Sequence, residues 1–365
     1  MASRREFLSG FGAASFGLFG MACNCGRASA QGAPSRRIAT IGGARVRTID
    51  IHCHCGVADV LKLVEGTDLE RVAKGQINSR QNEPIGPERL AIMDGQGVDT
   101  QVLTINPWWY GAKEDLARRI IDVQNEKLAA ITKAYPGRFY GFASVALQFP
   151  ELAAKQLEIG MKEMGLKGAA IGCNVQGEEI SSSKFDPFWA KAEELQAMVF
   201  MHPQDNIGST GIGARVKGAG ALANVIGNPL ETTFALSHLI FEGPRDRFPN
   251  LRLCGAHGGG FLPSYAGRMD HGCEIFANQC KGPVLKKAPS EYLKQLYFDS
   301  LVFTGEGLRH LVAECGVGQI MLGTDSAIPW VKDPVGHVLS TPGLSDADKT
   351  AILGGTAARL LRLDA

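Results

Sequence analysis

The sequence lacks a long hydrophobic run, a dense basic stretch and an excess of charge of either sign. None of its 365 residues lies in an apolar segment of the ~20 residues needed to cross a membrane. Lys and Arg (38) nearly balance Asp and Glu (37), whereas nucleic-acid-binding proteins usually carry a basic stripe. These absences argue against a transmembrane span in the mature chain and against a nucleic-acid partner.

The composition that remains is that of a globular protein. Hydrophobic residues make up 45% and charged residues 21%, close to the averages for folded domains. The length allows one large domain or two ordinary ones, and no internal repeat or low-complexity linker divides the chain. We therefore predict one domain over residues 45–365, preceded by a short lead-in at 31–44, that acts on a small molecule.

Residues 1–30 have the organisation of an export signal. Arg4 and Arg5 precede a mildly apolar, Gly- and Ala-rich stretch at 10–22, and a small-residue cleavage motif ends at Ala30. The paired arginines are typical of the bacterial twin-arginine class. We predict export to the periplasm, with a lipid anchor at Cys23 as the alternative.

Cysteine usage indicates no disulfide framework. Nine cysteines are present and seven follow Ala30. An odd number of cysteines cannot all pair within one chain, and several lie in apolar runs, where a free cysteine behaves as a small hydrophobic residue. Most of them are expected to be thiols.

Eight short apolar or β-branched runs indicate strands, and helical patterns separate them. The predicted strands span residues 46–53, 98–105, 139–145, 166–171, 198–202, 251–257, 296–300 and 319–325. The predicted helices span 114–134, 150–164, 187–196, 229–241, 305–315 and 346–361. This alternation favours a parallel sheet, and eight such units fit an α/β fold of the (β/α)8 TIM-barrel type. A doubly wound open sheet is the alternative, although no Gly-rich dinucleotide fingerprint follows the first strand.

Two connections are longer than a turn between a strand and a helix requires. They span residues 56–88 and 203–228, and the second is rich in glycine. Connections of this length are usually functional loops or small insertions. The first is expected to lie over the mouth of the barrel.

The residues with metal-binding or acid–base chemistry fall at the predicted carboxyl ends of the strands. In the first strand His52 and His54 are two residues apart, so both project to the same face and can chelate one metal ion. His202 ends the fifth predicted strand, His257 the sixth and Asp325 the eighth. Because catalytic residues of a TIM barrel come from these strand ends, the five side chains are expected to converge at one mouth.

Three short motifs surround these residues. They are AHGGGFLP at 256–263, FDS at 298–300 and LGTD at 322–325, within matching segments at 49–54, 199–203, 257–269 and 297–329. In these segments the sequence resembles the amidohydrolase superfamily, in the branch typified by aminocarboxymuconate-semialdehyde decarboxylase. The resemblance covers most of residues 45–361 and is weakest at 56–90 and 203–228.

The resemblance implies a metal-dependent enzyme. It implies His52, His54, His202 and Asp325 as the metal ligands and places His257 beside a metal-bound water. Members of the superfamily with two metal ions carry a bridging lysine at the end of strand four, whereas here the nearby lysine, Lys167, lies at the other end of that strand. One divalent ion is therefore expected. Three nitrogen ligands and one carboxylate suit Zn, with Mn or Fe as alternatives.

Substrate binding is implied at an arginine and at two tryptophans. Arg268 matches an arginine that in the decarboxylase reaches the substrate carboxylate of a neighbouring subunit, which implies a homodimer or a higher homo-oligomer. A second substrate arginine of that enzyme lies between strands one and two, where Arg80 and Arg89 are both candidates. Trp108 and Trp330 follow strands two and eight and either form stacking walls for a flat, unsaturated acid or pack loops onto the barrel.

Three functions fit this set of residues. The first is decarboxylation of a small conjugated or aromatic carboxylic acid, a carbon–carbon lyase reaction. In it a metal lowers the pKa of its bound water toward ~7, and Asp325 and His257 act as acid and base. The second is hydrolysis of a lactone, ester or amide at the same site. The third, a non-catalytic exported binding protein, is disfavoured because a degenerate site should have lost a ligand.

Overall fold

Eight parallel strands form the wall of the molecule. The computed structural model describes residues 36–79, 85–204, 212–280, 285–326 and 328–363. The strands, named β1 to β8 in chain order, are Ile49–His54, Thr100–Thr104, Phe139–Gly141 continued by Ala143–Ser144, Gly168–Gly172, Met198–His202, Arg252–Gly255, Tyr297–Asp299 and Ile320–Met321. Each lies within one of the eight predicted runs or extends it by one residue.

The strands pair in chain order and the sheet closes on itself. β1 pairs with β2 and β2 with β3, while the continuation of β3 pairs with β4 and the ladder runs on through β5, β6, β7 and β8. The ring closes between β8 and β1, where Ile51 N donates to Leu322 O at 3.0 Å and His54 N donates to Ser326 O at 2.7 Å. The fold is therefore a (β/α)8 TIM barrel, and the open-sheet alternative is wrong.

Two hydrophobic clusters hold the barrel together. The larger packs the strands against the surrounding helices. The smaller lies inside and includes Phe142 and Phe200, whose rings stack with centroids 6.2 Å apart. It also contains Met198, the first residue of β5, and Leu360 of the helix Thr356–Leu361. This helix therefore covers the amino end of the barrel, and the carboxyl end remains for the functional site.

Helices surround the barrel. Their bounds are Leu61–Val64, Glu70–Ile77, Pro87–Gln96, Glu114–Ala134, Pro150–Lys162, Asp186–Glu194, Ile212–Arg215, Asn228–Phe241, Pro244–Arg247, Ala266–Ile275, Pro289–Leu293, Gly305–Cys315, Pro334–Ser340, Asp346–Thr350 and Thr356–Leu361. Two of them, Glu114–Ala134 and Gly305–Cys315, have the predicted bounds. The predicted helix 346–361 is two helices joined by a wider helical turn at Ala351–Gly355.

The two long connections lie at the carboxyl end of the barrel. The first contains two short helices, and Gln76 of the second helix borders a cavity together with His54. The described part of the second connection includes a wide helical turn at Ala223–Gly227, which borders another cavity together with His257. Both connections therefore contribute to the surroundings of the strand ends that carry the predicted ligands.

The seven cysteines within the described residues divide into one pair and five free thiols. Cys273 and Cys280 form a disulfide at the end of the helix Ala266–Ile275, with Cα atoms 5.4 Å apart. The free and buried cysteines are Cys53, Cys55, Cys173, Cys254 and Cys315. The expectation of thiols holds for these five, whereas the Cys273–Cys280 bond was not predicted.

Some predicted features lie outside the described residues. They are the export signal at 1–30, the candidate anchor Cys23 and the candidate substrate residue Arg80. Within the described part of the chain, no helix combines the length and the apolar composition that a membrane crossing needs.

Candidate metal centre

Four side chains meet at the carboxyl end of the barrel. His52 and His54 end β1, His202 is the last residue of β5, and Asp325 follows β8. One donor atom from each side chain lies within 4.8 Å of the donor atoms of the other three, and all four residues are buried. These are the four residues that the sequence predicted as ligands of one metal ion.

The three imidazoles are each held through Nδ1. His52 Nδ1 lies 2.6 Å from Asp299 Oδ2, and His202 Nδ1 lies 2.7 Å from the carbonyl oxygen of Pro203. His54 Nδ1 lies 3.0 Å from Thr104 Oγ1, whose hydroxyl donates to the Cys53 carbonyl. Because these oxygens accept a hydrogen bond, each Nδ1 carries the proton and each Nε2 keeps a lone pair for a metal.

The arrangement of these lone pairs fits a bound cation. The Nε2 atoms of His52 and His54 are 3.3 Å apart, and both lie close to Asp325 Oδ1, at 3.2 and 2.8 Å. His202 Nε2 is buried and has no hydrogen-bond partner among the described residues. The Nε2 atoms and the carboxylate oxygens are all hydrogen-bond acceptors, so they cannot form hydrogen bonds with one another. Three imidazole nitrogens and a carboxylate are, however, a common set of ligands for Zn and related divalent ions.

The electrostatics of the site favour positive charge. Burial lowers the pKa of His52, but the charges of Asp325 and Asp299 outweigh burial and raise the pKa to about 10, so that positive charge at Nε2, carried by a proton or by a metal ion, is stabilised. Burial raises the pKa of Asp325, but the charge of His52 and the neighbouring imidazoles hold it well below its usual range. A buried carboxylate that remains ionised needs a positive partner, which a divalent ion supplies.

Asp299 supports the ligand His52 from the end of β7. Its Oδ2 accepts from His52 Nδ1 and from the backbone N–H of His257 at 2.8 Å, while Oδ1 accepts from the N–H of Gly258 at 2.8 Å. The sequence placed this residue in the FDS motif without a role. Its position at a strand end, like that of Asp325, is the signal from which its role could have been predicted.

We expect the Asp299→Asn substitution to weaken metal binding by ~10–100-fold, as is usual when the partner of a metal-bound histidine is changed. An amide cannot accept from all three donors, so the orientation of His52 is lost. Competition with a chelator measures the affinity, and Asp115→Asn, at an exposed helix start, is the matched control. Unchanged affinity in Asp299→Asn would contradict the assigned role.

A second buried carboxylate ties β1 to β8. Asp50 accepts from Thr324 Oγ1 at 2.7 Å and from Gln101 Nε2 at 3.0 Å. Arg89 then donates to Gln101 Oε1 at 2.8 Å and to the backbone oxygen of His54 at 2.6 Å. Arg89 is fully buried behind the strand, so it supports the backbone of a ligand and is not placed as the second substrate arginine.

The loop after β6 is built on left-handed backbone. His257 has φ 55°, and Gly258, Gly259 and Gly260 have φ between 63° and 77°. A Cβ at Gly260 would lie 2.1 Å from the carbonyl oxygen of Pro229, so only glycine fits there. The loop brings His257 Nε2 to 3.7 Å from Asp325 Oδ2.

His257 and Asp325 both have a strained backbone, and both lie at the centre of the site. Asp325 also has a positive φ, 54°, and such conformations of residues other than glycine concentrate at functional sites. The ring of His257 lies 5.0 Å from that of His52, and its Nδ1 is buried without a partner among the described residues. His257 is therefore placed to exchange a proton beside the ligand cluster.

The predicted substrate residues lie at different distances from the cluster. Trp108 and His202 line one cavity of about 580 Å³. Trp330 lies on the other side, where its Nε1–H donates to Asp325 Oδ2 at 2.8 Å. Arg268 is exposed on the helix Ala266–Ile275 and has no ion pair within the described part of the chain. Thus Trp108 and Trp330 adjoin the site, whereas Arg268 lines neither of the two cavities beside it.

Arg71 was missed by the sequence analysis. It lies on the helix Glu70–Ile77 between β1 and β2 and lines the same cavity as His202 and Trp108. Its side chain is exposed and forms no ion pair with the described residues. The prediction that this connection covers the mouth of the barrel was the available signal, but nothing in the sequence distinguishes one of its arginines from the others.

A family model described as amidohydrolase matches residues 49–363. The chain belongs to this family. Among curated relatives, this amidohydrolase is 32% identical to 2-amino-3-carboxymuconate-6-semialdehyde decarboxylase of Dictyostelium discoideum, over 87% of this chain and 85% of the relative. It is 28% identical to gamma-resorcylate decarboxylase of Polaromonas sp., over 77% and 88%. The chain is therefore an enzyme of the amidohydrolase superfamily, and the alternative of a non-catalytic binding protein is set aside.

Solved structures share the fold of this amidohydrolase. A 5-carboxyvanillate decarboxylase from Sphingomonas paucimobilis superimposes with a TM-score of 0.78 at 24% identity, covering 87% of this chain and all of that one. A dihydroxybenzoic acid decarboxylase from Polaromonas sp. superimposes with a TM-score of 0.74 at 25% identity, covering 87% and 97%, and contains manganese and 2-nitroresorcinol. The His and Asp cluster, together with the likeness to the manganese-containing Polaromonas structure, supports a site for a single divalent metal ion.

Proposed function

We propose that this enzyme releases CO2 from a small conjugated or aromatic carboxylic acid. The observation that carries the proposal is the complete cluster of three imidazole nitrogens and one carboxylate, with His257 beside it. Arg71 lines the same cavity as the ligand His202. The curated relatives described above are decarboxylases of such acids. Enzymes of this fold carry their chemistry at the carboxyl ends of the strands, where this cluster lies.

Decarboxylation here is a proton delivery to carbon. The bond between the carboxylate and the substrate carbon breaks, CO2 leaves, and the electron pair stays on that carbon. His257, or Asp325 once it has accepted a proton from water, then delivers a proton to this carbon, and the donor recovers a proton from water. His52, His54, His202 and Asp325 would hold a divalent ion, which would supply Lewis acidity toward an oxygen of the substrate. Trp330 holds Asp325 Oδ2 in place through its Nε1–H.

Arg71 anchors the substrate carboxylate. We expect Arg71→Met to raise KM for carboxylate substrates by ~10–100-fold, because a hydrogen bond between charged groups is worth ~1.5–3 kcal/mol. Steady-state kinetics measure the change, and Arg118→Met, at an exposed arginine of the helix Glu114–Ala134, is the control. An unchanged KM would remove Arg71 from the substrate site.

Zn is proposed as the native ion, with Mn or Fe as the alternatives. Three imidazoles and one carboxylate suit Zn, and the same donors accept Mn and Fe. The manganese in the Polaromonas structure supports Mn as the first alternative. Elemental analysis of protein purified without added metal decides among them, and a preparation in which Mn alone restores turnover would reject Zn.

The test of the function is a substrate panel read for CO2. The metal-loaded enzyme is incubated with hydroxybenzoic acids, carboxylated muconate semialdehydes, lactones and esters, and both CO2 and titratable acid are measured. CO2 release from an acid supports decarboxylation. Acid release without CO2 from a lactone or ester would replace it with hydrolysis at the same site.

The enzyme acts as a homodimer or a higher homo-oligomer in which Arg268 serves the site of a neighbouring subunit. Arg268 is exposed and unpaired among the described residues, and it lies on a helix bounded by exposed apolar side chains. Tyr265 before this helix is 54% exposed, and Ile275 and Phe276 at its end are 74% and 55% exposed. A neighbouring subunit packed on this helix would cover these side chains.

The mature enzyme is exported through a twin-arginine-type signal, with lipidation at Cys23 as the alternative. The Cys273–Cys280 disulfide supports an oxidising compartment. We expect exported protein cut after Ala30 to contain five thiols per denatured chain before reduction and seven after it. Thiol titration checks this, with protein produced in the cytoplasm without residues 1–30 as the comparison. Seven thiols in unreduced exported protein would contradict the assigned bond.

A further inference from the structure

A second cavity leads away from the metal centre on the side of His257. It has a volume of about 360 Å³, and His257 and Trp330 border its inner end. Apolar side chains form most of its walls, among them Val225, Phe303 and Leu311. We call this cavity the apolar groove. It is separate from the larger cavity that Arg71 and His202 line, although Asn228 borders both.

The rim of the apolar groove is made of aromatic rings in fixed positions. Phe303 has φ 62°, a conformation that is strained for any bulky residue. This backbone leaves its ring 52% exposed and 5.8 Å from the ring of Trp330. Trp330 in turn is fixed by its hydrogen bond to Asp325. The strained backbone of Phe303 therefore keeps a large apolar ring exposed, where a bound apolar group would cover it.

The size of the apolar groove exceeds that of one ring. A cavity of ~150 Å³ lined by apolar side chains holds benzene, and this groove has more than twice that volume, about 360 Å³. Its lining also contains one polar pair, since Ser264 Oγ lies 3.1 Å from His310 Nε2.

We propose that the apolar groove is a binding subsite for an apolar substituent of the substrate, the size of a second ring. The inference deepens the proposed function and rests on it for the acid end of the molecule. The carboxylate of the substrate and the carbon that bears it lie at the metal centre, towards Arg71. The apolar substituent of the substrate extends past His257, between Val225 and Phe303. The substrate class is therefore an aryl- or branched-alkyl-substituted conjugated acid rather than a single small ring.

Equilibrium binding tests the subsite without turnover. The probes are benzoate and biphenyl-3-carboxylate, titrated calorimetrically into the metal-loaded enzyme. We expect biphenyl-3-carboxylate to bind at least ~10-fold more tightly, since even one methylene in an apolar pocket is worth ~10–200-fold. Equal affinities for the two acids would overturn the proposal.

Two variants locate the binding advantage in the apolar groove. Val225→Trp narrows it, and Phe303→Gly removes the exposed ring at a position where glycine relaxes the backbone. In each variant, biphenyl-3-carboxylate is expected to bind no more than ~3-fold more tightly than benzoate, while the affinity for benzoate stays unchanged. Ile159→Trp is the control, because Ile159 is 41% exposed, close to the 43% of Val225, and lies on the helix Pro150–Lys162. An advantage that survives both groove variants would reject the subsite.

The outcomes for the subsite and for the proposed function are separable. If neither single-ring nor aryl-substituted acids release CO2, but biphenyl-3-carboxylate still binds more tightly than benzoate, the proposed function fails and the subsite stands. If single-ring acids release CO2 and the advantage is absent, the subsite fails and the function stands. If Val225→Trp dissociates an oligomer, measured by light scattering, and the advantage is absent, a second copy of the chain covers the groove and the subsite is rejected.

Discussion

His202→Ala is expected to abolish metal binding and CO2 release while the barrel stays folded. His202 Nε2 is buried without a hydrogen-bond partner among the described residues. Its lone pair therefore stabilises the fold only through a bound metal ion. Removal of a direct ligand should exceed the ~10–100-fold effect expected for a ligand's hydrogen-bond partner. Elemental mass spectrometry of the purified variant should therefore find far less than one ion per chain.

The control for this experiment is another histidine. His238→Ala removes an imidazole that is exposed and pairs with Glu242 at 2.7 Å on the helix Asn228–Phe241. It should keep its metal and its activity. Thermal unfolding followed by circular dichroism shows whether both variants are folded. A folded His202→Ala protein that retains one ion per chain and full turnover would refute the ligand set.

The strands were predictable because each barrel strand is a short apolar run. β5, for example, was predicted with the bounds Met198–His202 that the structure has, because its apolar residues stop at a histidine and a proline. The same property placed the ligands, since a polar residue that ends a buried run lies at the rim of the barrel. Local sequence thus determined both the elements and the position of the four ligands along them.

Contacts between residues distant in the sequence were not predictable in the same way. Asp299 meets His52 across 247 residues, and its motif gave no indication of which imidazole it holds. Arg71 reaches the cavity because of how a short inserted helix packs, which the composition of that segment does not specify. Trp330 was expected to stack on a substrate, whereas its indole also holds Asp325 through a hydrogen bond.

The disulfide was missed for a related reason. Cys273 and Cys280 are seven residues apart and match no recognised framework, and parity showed only that the seven cysteines could not all pair. Their pairing depends on the end of the helix Ala266–Ile275 and on the turns that follow it. This same helix carries Arg268, so its position bears on the oligomer as well.

Mixing two inactive variants should restore activity if Arg268 acts across subunits. Arg268→Ala and His257→Ala are each expected to be inactive, the first because the partner's site loses its arginine and the second because its own site loses the residue beside Asp325. In a mixed dimer, the Arg268→Ala subunit keeps His257 and receives Arg268 from the other subunit. One of the two sites is then native.

The expected recovery is quantitative. Random pairing of equal amounts makes half of the dimers mixed, and each has one native site, so activity per chain should reach about a quarter of wild type for a dimer with shared sites. The two variants are unfolded together, refolded and assayed, with each variant refolded alone as the control. No recovery, despite mixed dimers demonstrated by differently tagged subunits, would place the action of Arg268 within its own subunit or away from the site. Because Arg268 has no partner among the described residues of its own chain, we expect the recovery.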